Sequence, residues 1–206
     1  MRFQLFILAL FLGAFTACQP TDKAPQEPTE ENADEAAQRP TVEAPEAATP
    51  NLAEDELLMK LSALLIAEPQ TLADSNRNEI VNYAIDQQLN LDHSDSGLFY
   101  QILDPGEGDP LQWGDRVVVH YRGYFLDGKE FDSSYKRNRP IKFYIGNMID
   151  AWNEGMQLLR PKGRALFITP SNLGYGEVGI KISEEEYMVP PNAILAFEVA
   201  VMEKVE

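Results

Sequence analysis

The sequence predicts an α+β fold in which an antiparallel sheet wraps around one short helix, preceded by a short helical segment and a disordered tether. Three observations support the sheet domain. Of the 13 glycines, 12 lie from Gly97 onward, as do 15 of the 20 aromatic residues. Several strand-like segments follow Gly97, whereas only one stretch there has apolar residues at helical spacing. Such turn-rich and aromatic-rich sequence is typical of a compact sheet domain, which we expect over residues 97–206.

The charge of the chain excludes some classes of partner. The formal net charge is -16 at pH 7, and most of the excess acidity lies before residue 97. A chain this acidic is not expected to bind nucleic acid or an anionic membrane face through a basic surface.

Residues 1–17 have the layout of an export signal. Arg2 precedes an apolar run from Phe3 to Phe15, which is broken only once. The run is shorter than the ~20 apolar residues that span a bilayer. Cys18 follows directly and is the only cysteine, so no intramolecular disulfide can form. The segment resembles a bacterial lipoprotein signal, which implies lipidation of Cys18 and anchoring to a membrane of the cell envelope, with the outer membrane favoured. Simple secretion and an uncleaved anchor are the alternatives.

Residues 18–50 are expected to form a disordered tether. From residue 19 onward this segment contains six prolines and eight acids, with no aromatic residue and no glycine. Such a composition cannot bury enough apolar surface to offset the entropy cost of ordering the chain. As a flexible chain it would span about 30 Å, which would hold the following domain away from a lipid surface.

Residues 51–92 have the periodicity of two amphipathic helices. Asn51, with an acid three residues later, fits a capping box for the first helix, which should end just before Pro69. Asn76, also with an acid three residues later, fits the cap of the second helix. Their apolar faces comprise Leu57, Leu58, Leu61, Leu64 and Leu65, and then Ile80, Val81, Ala84, Ile85 and Leu89. Short helices of this kind must pack on each other, on the sheet domain or on a partner chain.

The sheet domain has five clear strand candidates and one helix candidate. Asp127-Gly128 predicts a tight hairpin that brings Tyr121 close to Phe131 and Asp132. The helix candidate is defined by Met148, Ile149, Trp152, Met156 and Leu159, and Pro161 closes it. The strand candidates are Leu98–Leu103, Arg116–Phe125, Ile141–Ile145, Ala165–Thr169 and Ala193–Met202.

One stretch of this domain has a recognisable signature. HYRGYFLDGKEFDSS, residues 120–134, resembles the signature of the FK506-binding class of peptidyl-prolyl cis-trans isomerases, the FKBPs. Further blocks follow in the family order, namely IKFYIGN at 141–147, MIDAWNEGMQLL at 148–159, KGRALFITP at 162–170, LGYG at 173–176 and VPPNAILAFEVAV at 189–201. The resemblance implies the FKBP-like sheet wrapped over the helix that contains Trp152.

The resemblance also implies a substrate pocket. Trp152 would form its floor, with Tyr121, Asp132 and Tyr175 as the other residues of the catalytic site. The Ile149 backbone amide would help to hold the bound peptide. The remaining substrate-binding residues implied by the resemblance are Phe131, Phe143, Met148, Ile149, Phe197 and, at the rim, Ile141.

The implied function is isomerisation of Xaa-Pro bonds in exported polypeptides. Rotation about an amide breaks no covalent bond, so neither a metal nor a cofactor is required. The alternative is a non-catalytic chaperone or binding module of an envelope complex that uses the same pocket. The resemblance further implies FK506-like macrolides as ligands, and a homodimer through the helical segment as the alternative to packing on the same chain.

Overall fold

The computed structural model describes residues 52–205, in which three α-helices accompany nine β-strands. The helices are α1 (Leu52–Ser62), α2 (Leu72–Asp86) and α3 (Asp150–Gly155). The strands are β1 (Asp92–His93), β2 (Phe99–Asp104), β3 (Arg116–Tyr124), β4 (Glu130–Ser133), β5 (Ile141–Tyr144), β6 (Arg164–Thr169), β7 (Ile180–Lys181), β8 (Tyr187–Val189) and β9 (Leu195–Val205).

Seven of these strands form one antiparallel sheet in the order β1-β2-β6-β9-β3-β4, with β5 also paired to β3. One half of β3 pairs with β4 and the other half with β5, while β9 lies along its opposite edge. The alternating side chains of β3 place Val117, Val119 and Tyr121 in the core inside the sheet. The expected antiparallel sheet around one short helix is therefore confirmed.

Helix α3 lies against the inner face of the sheet. Trp152 is 2% exposed, and Gly155 lies so close to β6 that a Cβ added there would be 2.7 Å from the Phe167 ring. The helix is shorter than its apolar pattern predicts. Ile149 is extended, with ψ at 151°, and the last turn from Met156 to Leu158 is a 3₁₀-helix.

The helical segment packs on the outer face of the same sheet. Ile80, Val81 and Ala84 of α2 are fully buried, together with Leu61 of α1. They form one apolar cluster with sheet residues on the outer face, namely Phe99, Tyr124, Leu166, Ile168 and Ala196. Of the alternatives left open by the sequence, packing on the same chain is thus present in this structure.

The expected end of the first helix and the expected start of the second are wrong. Helix α2 begins after Thr71, whose side chain forms a capping box with Asp74, and Asn76 lies buried inside the helix. Helix α1 ends at Ser62 instead of continuing towards Pro69. Further along, Asn78 of α2 binds both backbone polar groups of Ile66, in hydrogen bonds of 2.8 Å each.

The segment after Tyr175 contains a short hairpin that the sequence did not predict, formed by β7 and β8. Within residues 52–205, no helix has both the length and the apolar character needed to cross a bilayer. The expected cap at Asn51, the signal at 1–17, Cys18 and the tether at 18–50 lie outside the described residues.

Candidate active site

A small cavity opens between α3 and the inner face of the sheet. Trp152 forms its floor, and every side chain that lines it is one the sequence predicts for the site. The lining residues are Tyr121, Phe131, Asp132, Met148, Ile149, Trp152, Tyr175 and Phe197. Small-ligand sites commonly combine a mostly apolar wall of this kind with a few convergent polar groups.

The apolar walls are built from aromatic rings that meet edge to face. The Trp152 ring lies 5.1 Å from Tyr121 and 5.5 Å from Phe197, at interplanar angles of 87° in both cases. Phe131 meets Phe197 at 5.7 Å and 88°. This geometry is favourable for aromatic quadrupoles, and interlocked rings hold one another in place. Gly123 permits the arrangement, because a Cβ there would lie 2.7 Å from the Phe131 ring.

A three-residue polar network stands at one side of the cavity. The Tyr121 hydroxyl donates a hydrogen bond to the Asp132 carboxylate, which also forms an ion pair with Arg137. A second guanidinium nitrogen, Arg137 Nη2, donates to the Tyr121 hydroxyl at 2.9 Å. The Ser133 amide donates to Asp132 Oδ1 at 2.8 Å. Both carboxylate oxygens are thus occupied, and the guanidinium balances the charge of the carboxylate.

Arg137 is the residue of this network that the sequence analysis did not include. It lies five positions after Asp132 and three positions beyond the signature stretch that ends at Ser134. The sequence feature that could have indicated its role is an arginine five positions after a carboxylate of the predicted pocket. Only the fold shows that its guanidinium reaches back to both Asp132 and Tyr121.

The loop that enters α3 is held by Asn153. This side chain is 5% exposed. Its Oδ1 accepts hydrogen bonds from the Gly146 and Met148 amides at 2.8 and 3.1 Å, and its Nδ2 donates to the Met148 carbonyl at 2.7 Å. Ile149, which follows Met148, lines the cavity. Within residues 52–205, its backbone N–H donates to no acceptor. That amide is available to a bound carbonyl.

Tyr175 approaches the cavity from a turn that follows β6. Its ring is half-buried, and burial raises the pKa of its hydroxyl above the ordinary value for tyrosine. The hydroxyl therefore remains protonated across the physiological range. It makes no hydrogen bond to any other residue in the described part of the chain, so it is free to donate to a ligand.

Two predicted substrate-binding residues lie outside the cavity lining. Phe143 is buried behind the floor, with its ring 5.5 Å from that of Trp152. Ile141 lines a separate open depression together with Arg137, because it stands at the start of β5, opposite Val119. His120 points away from the cavity, as expected from its position next to Tyr121. Its Nδ1 lies 2.9 Å from Ser134 Oγ, and its ring stacks on Tyr135.

Within residues 52–205, no three or more His, Cys, Asp or Glu side chains cluster in a way that could hold a metal ion. The site described here consists of aromatic rings, an ion pair, a phenol and a backbone amide.

This combination of sheet, short helix and aromatic cavity defines the class of the domain. Residues 108–202 match the family described as FKBP-type peptidyl-prolyl cis-trans isomerase, and this range contains all eight lining residues. This match agrees with the resemblance carried by the signature at residues 120–134.

Particular bacterial relatives share this domain. A probable FKBP-type peptidyl-prolyl cis-trans isomerase of Haemophilus influenzae is 42% identical over 108 residues, which is 52% of this chain and 43% of the relative. The FKBP-type peptidyl-prolyl cis-trans isomerase FkpA of Escherichia coli is 36% identical over 110 residues, which is 53% of this chain and 38% of the relative. The chain thus spans about two fifths of the length of these curated relatives.

Solved structures support the same fold. The crystal structure of FkpA from Escherichia coli superimposes with a TM-score of 0.56 at 27% identity, covering 74% of this chain and 63% of that one. The crystal structure of AtFKBP13 gives 0.53 at 28% identity, covering 56% of this chain and 98% of that one. The FKBP-like fold that the signature implies is therefore confirmed.

Proposed function

We propose that the domain catalyses cis-trans isomerisation of Xaa-Pro bonds. The observation that carries the proposal is the aromatic cavity over Trp152, into which Tyr121, Asp132, Tyr175 and Ile149 bring polar groups. A prolyl ring is apolar and compact, so it suits the floor and walls. The match of residues 108–202 to the FKBP-type family and the names of the bacterial relatives support the same activity.

The reaction requires rotation about an amide bond whose barrier is ~18–20 kcal/mol. In the planar amide, resonance separates charge between nitrogen and oxygen, and water stabilises that separation. In the twisted transition state the resonance is lost and the charge separation falls. A cavity that excludes water from the ring therefore disfavours the planar amide relative to the twisted one.

The polar groups of the site hold the peptide, and the reaction requires no proton transfer between these side chains and the substrate. The Ile149 amide and the Tyr175 hydroxyl are free donors, and each can bind a carbonyl of the substrate. Asp132 is not free to act as a base, since Tyr121, Ser133 and Arg137 already donate to it. Its role is to orient the Tyr121 hydroxyl and the Arg137 guanidinium beside the cavity.

The test is the cis-to-trans rate of short Xaa-Pro peptides with the chain from Gln19 onward, for several residues before proline. Acceleration by the unaltered chain, lost in Trp152→Ala, is the expected result. Tyr144→Ala is the matched control, because Tyr144 is an exposed aromatic residue on β5 outside the cavity lining. No acceleration with any peptide would refute the proposed activity.

We further propose that the protein acts on exported polypeptides from a lipid anchor at Cys18 in the bacterial envelope. The export signal at 1–17 and the acidic, proline-rich residues 18–50 support this location. Cys18→Ser should abolish both incorporation of labelled palmitate and recovery with the membrane fraction. Membrane recovery that is unchanged in Cys18→Ser would contradict the anchor.

A binding module is the second candidate function. The specific observation that favours it is a group of exposed apolar side chains on and after α1, with Leu58 47%, Met59 74% and Leu65 39% exposed. Such side chains could contact an unfolded client or a second copy of the chain. Suppression of client aggregation that survives Asp132→Ala but is lost in Met59→Glu would favour this role over catalysis. The homodimer is tested by measuring the mass in solution against concentration. The mass should rise with concentration for the unaltered chain and not for Met59→Glu.

Macrolide binding is also proposed on the basis of the cavity. Trp152 is buried on the floor, whereas Trp113 is 66% exposed, and these are the only two tryptophans. In the Trp113→Phe variant, FK506 should change the fluorescence of the remaining indole in a saturable way. No change at any concentration up to the solubility of the ligand would contradict binding.

A further inference from the structure

The turn that carries Tyr175 is organised by one buried residue, Ser171. Its backbone carbonyl accepts hydrogen bonds from the Gly174 amide at 3.1 Å and the Gly176 amide at 2.9 Å. These two glycines are the immediate neighbours of Tyr175. Ser171 is only 2% exposed. The position of Ser171 therefore fixes the backbone on both sides of the tyrosine.

Ser171 is in turn held by a residue outside the sheet domain. Asn76 Oδ1 accepts hydrogen bonds from the Ser171 amide at 2.9 Å and from the Ser171 hydroxyl at 2.7 Å, across 95 positions of sequence. Asn76 is 4% exposed. A buried amide that loses its acceptor keeps its full desolvation cost, so this pair of bonds strongly constrains where Ser171 lies.

Asn76 is itself rigidly placed. It lies in the second turn of α2, after the capping box of Thr71 and Asp74. The same helix buries Ile80 and Val81 completely against the outer face of the sheet. An acceptor on a capped, packed helix holds its partner more firmly than one on a loop would.

We propose that Asn76 is a positioning residue of the isomerase site and that helix α2, which carries it, contributes to the geometry of that site. Asn76 acts through Ser171 and the two glycine amides to set the position of Tyr175 at the cavity. The helical segment is then more than a spacer between the anchor and the domain. This inference rests on the proposed function, in which the Tyr175 hydroxyl holds the substrate.

A kinetic double-mutant cycle tests whether Asn76 acts on the site through Tyr175. In Asn76→Ala, we expect kcat/KM for an Xaa-Pro peptide to fall about 3- to 10-fold, because a small misplacement of a substrate contact is costly. Asn76→Asp keeps the acceptor oxygen and should lie closer to the unaltered chain. In a Tyr175→Phe background, Asn76→Ala should cause little further loss. An equal loss in both backgrounds would overturn the proposal.

Amide hydrogen exchange provides a readout that does not depend on turnover. In Asn76→Ala, the Gly174 and Gly176 amides should exchange faster relative to the amide of Val199 in β9, which reports global opening. Val81→Ala is the control, since it removes buried volume from the same helix without touching Ser171. The same relative exchange in both variants would overturn the positioning role. Absence of isomerase activity in the unaltered chain would refute the proposed function instead, while the exchange result would still stand.

Discussion

Removal of the Asn153 side chain should loosen the part of the cavity formed by the loop before α3. Asn153→Ala deletes one acceptor that serves two amides and one donor that serves a carbonyl, at distances of 2.7 to 3.1 Å. Each lost bond to a partly buried backbone group costs about 1 kcal/mol, so the total loss of folding free energy is about 3 kcal/mol. For a folded unit of this size, that loss lowers Tm by about 6–12 °C.

The same substitution should impair the proposed activity, because Met148 and Ile149 follow directly from the loop that Asn153 holds. We expect kcat/KM to fall about tenfold or more when a substrate-contacting amide loses its fixed position. Thermal unfolding and the peptide isomerisation assay measure the two effects on the same sample. Asn153→Asp is the comparison variant: it keeps both acceptor contacts but places a carboxylate oxygen against the Met148 carbonyl, where the donor was.

The reasoning is refuted if Asn153→Ala unfolds within about 1 °C of the unaltered chain, since three lost bonds could not then carry the energy assigned to them. A large fall in Tm with unchanged kcat/KM would refute the second step alone. It would mean that the loop keeps its shape in the folded state without the side chain of Asn153.

Three further outcomes are expected. Arg137→Met leaves the Asp132 carboxylate without its cation beside the cavity, and kcat/KM should fall about 3- to 10-fold in the peptide assay, given the partial exposure of the pair. Gly155→Ala places a methyl group against the Phe167 ring and should lower the free energy of unfolding in urea by about 1–3 kcal/mol, although alanine favours helices elsewhere. Burial, assisted by the charge of nearby Glu198, raises the pKa of Tyr124 in the folded chain, so the unfolded chain loses this proton at lower pH. The free energy of unfolding should therefore fall from about pH 10 upward, and it should fall less steeply in Tyr124→Phe.

Each of these outcomes has a control. Lys129→Met removes an exposed charge from the hairpin and should leave kcat/KM unchanged, unlike Arg137→Met. Asp150→Ala changes an exposed position of α3 and should not reproduce the instability of Gly155→Ala. If Tyr124→Phe left the alkaline slope unaltered, the linkage assigned to burial of this phenol would be wrong.

Local patterns made much of the fold predictable, whereas the cavity lining was predictable from the resemblance to the FKBP family. Val117, Val119 and Tyr121 stand at alternate positions of the strand candidate Arg116–Phe125, and the Asp127-Gly128 turn predicted the return of Phe131 and Asp132 beside Tyr121. The signature and the further family blocks together identified all eight residues that line the cavity. Strand alternation and turn chemistry need no knowledge of the distant chain, so they survive folding unchanged.

The supporting contacts were not predictable, because their partners are remote in sequence. Asn76 looked like a helix cap, since a polar residue with an acid three positions later fits that pattern. Thr71 and Asp74 fit it equally well, and only the fold shows that Ser171 requires an acceptor at Asn76. Likewise, nothing local to Ile66 indicated that the side chain of Asn78 would bind both of its backbone polar groups.

Strand β6 serves two hydrophobic cores at once. Ala165 and Phe167 face α3, while Leu166 and Ile168 face α2, so no face of this strand is left to water. Truncation of the chain at Gly97, where the composition changes, would remove α1 and α2 and expose an apolar, aggregation-prone patch on the outer face of the sheet. The shared apolar cluster therefore joins α1, α2 and the sheet into one folded unit of this chain.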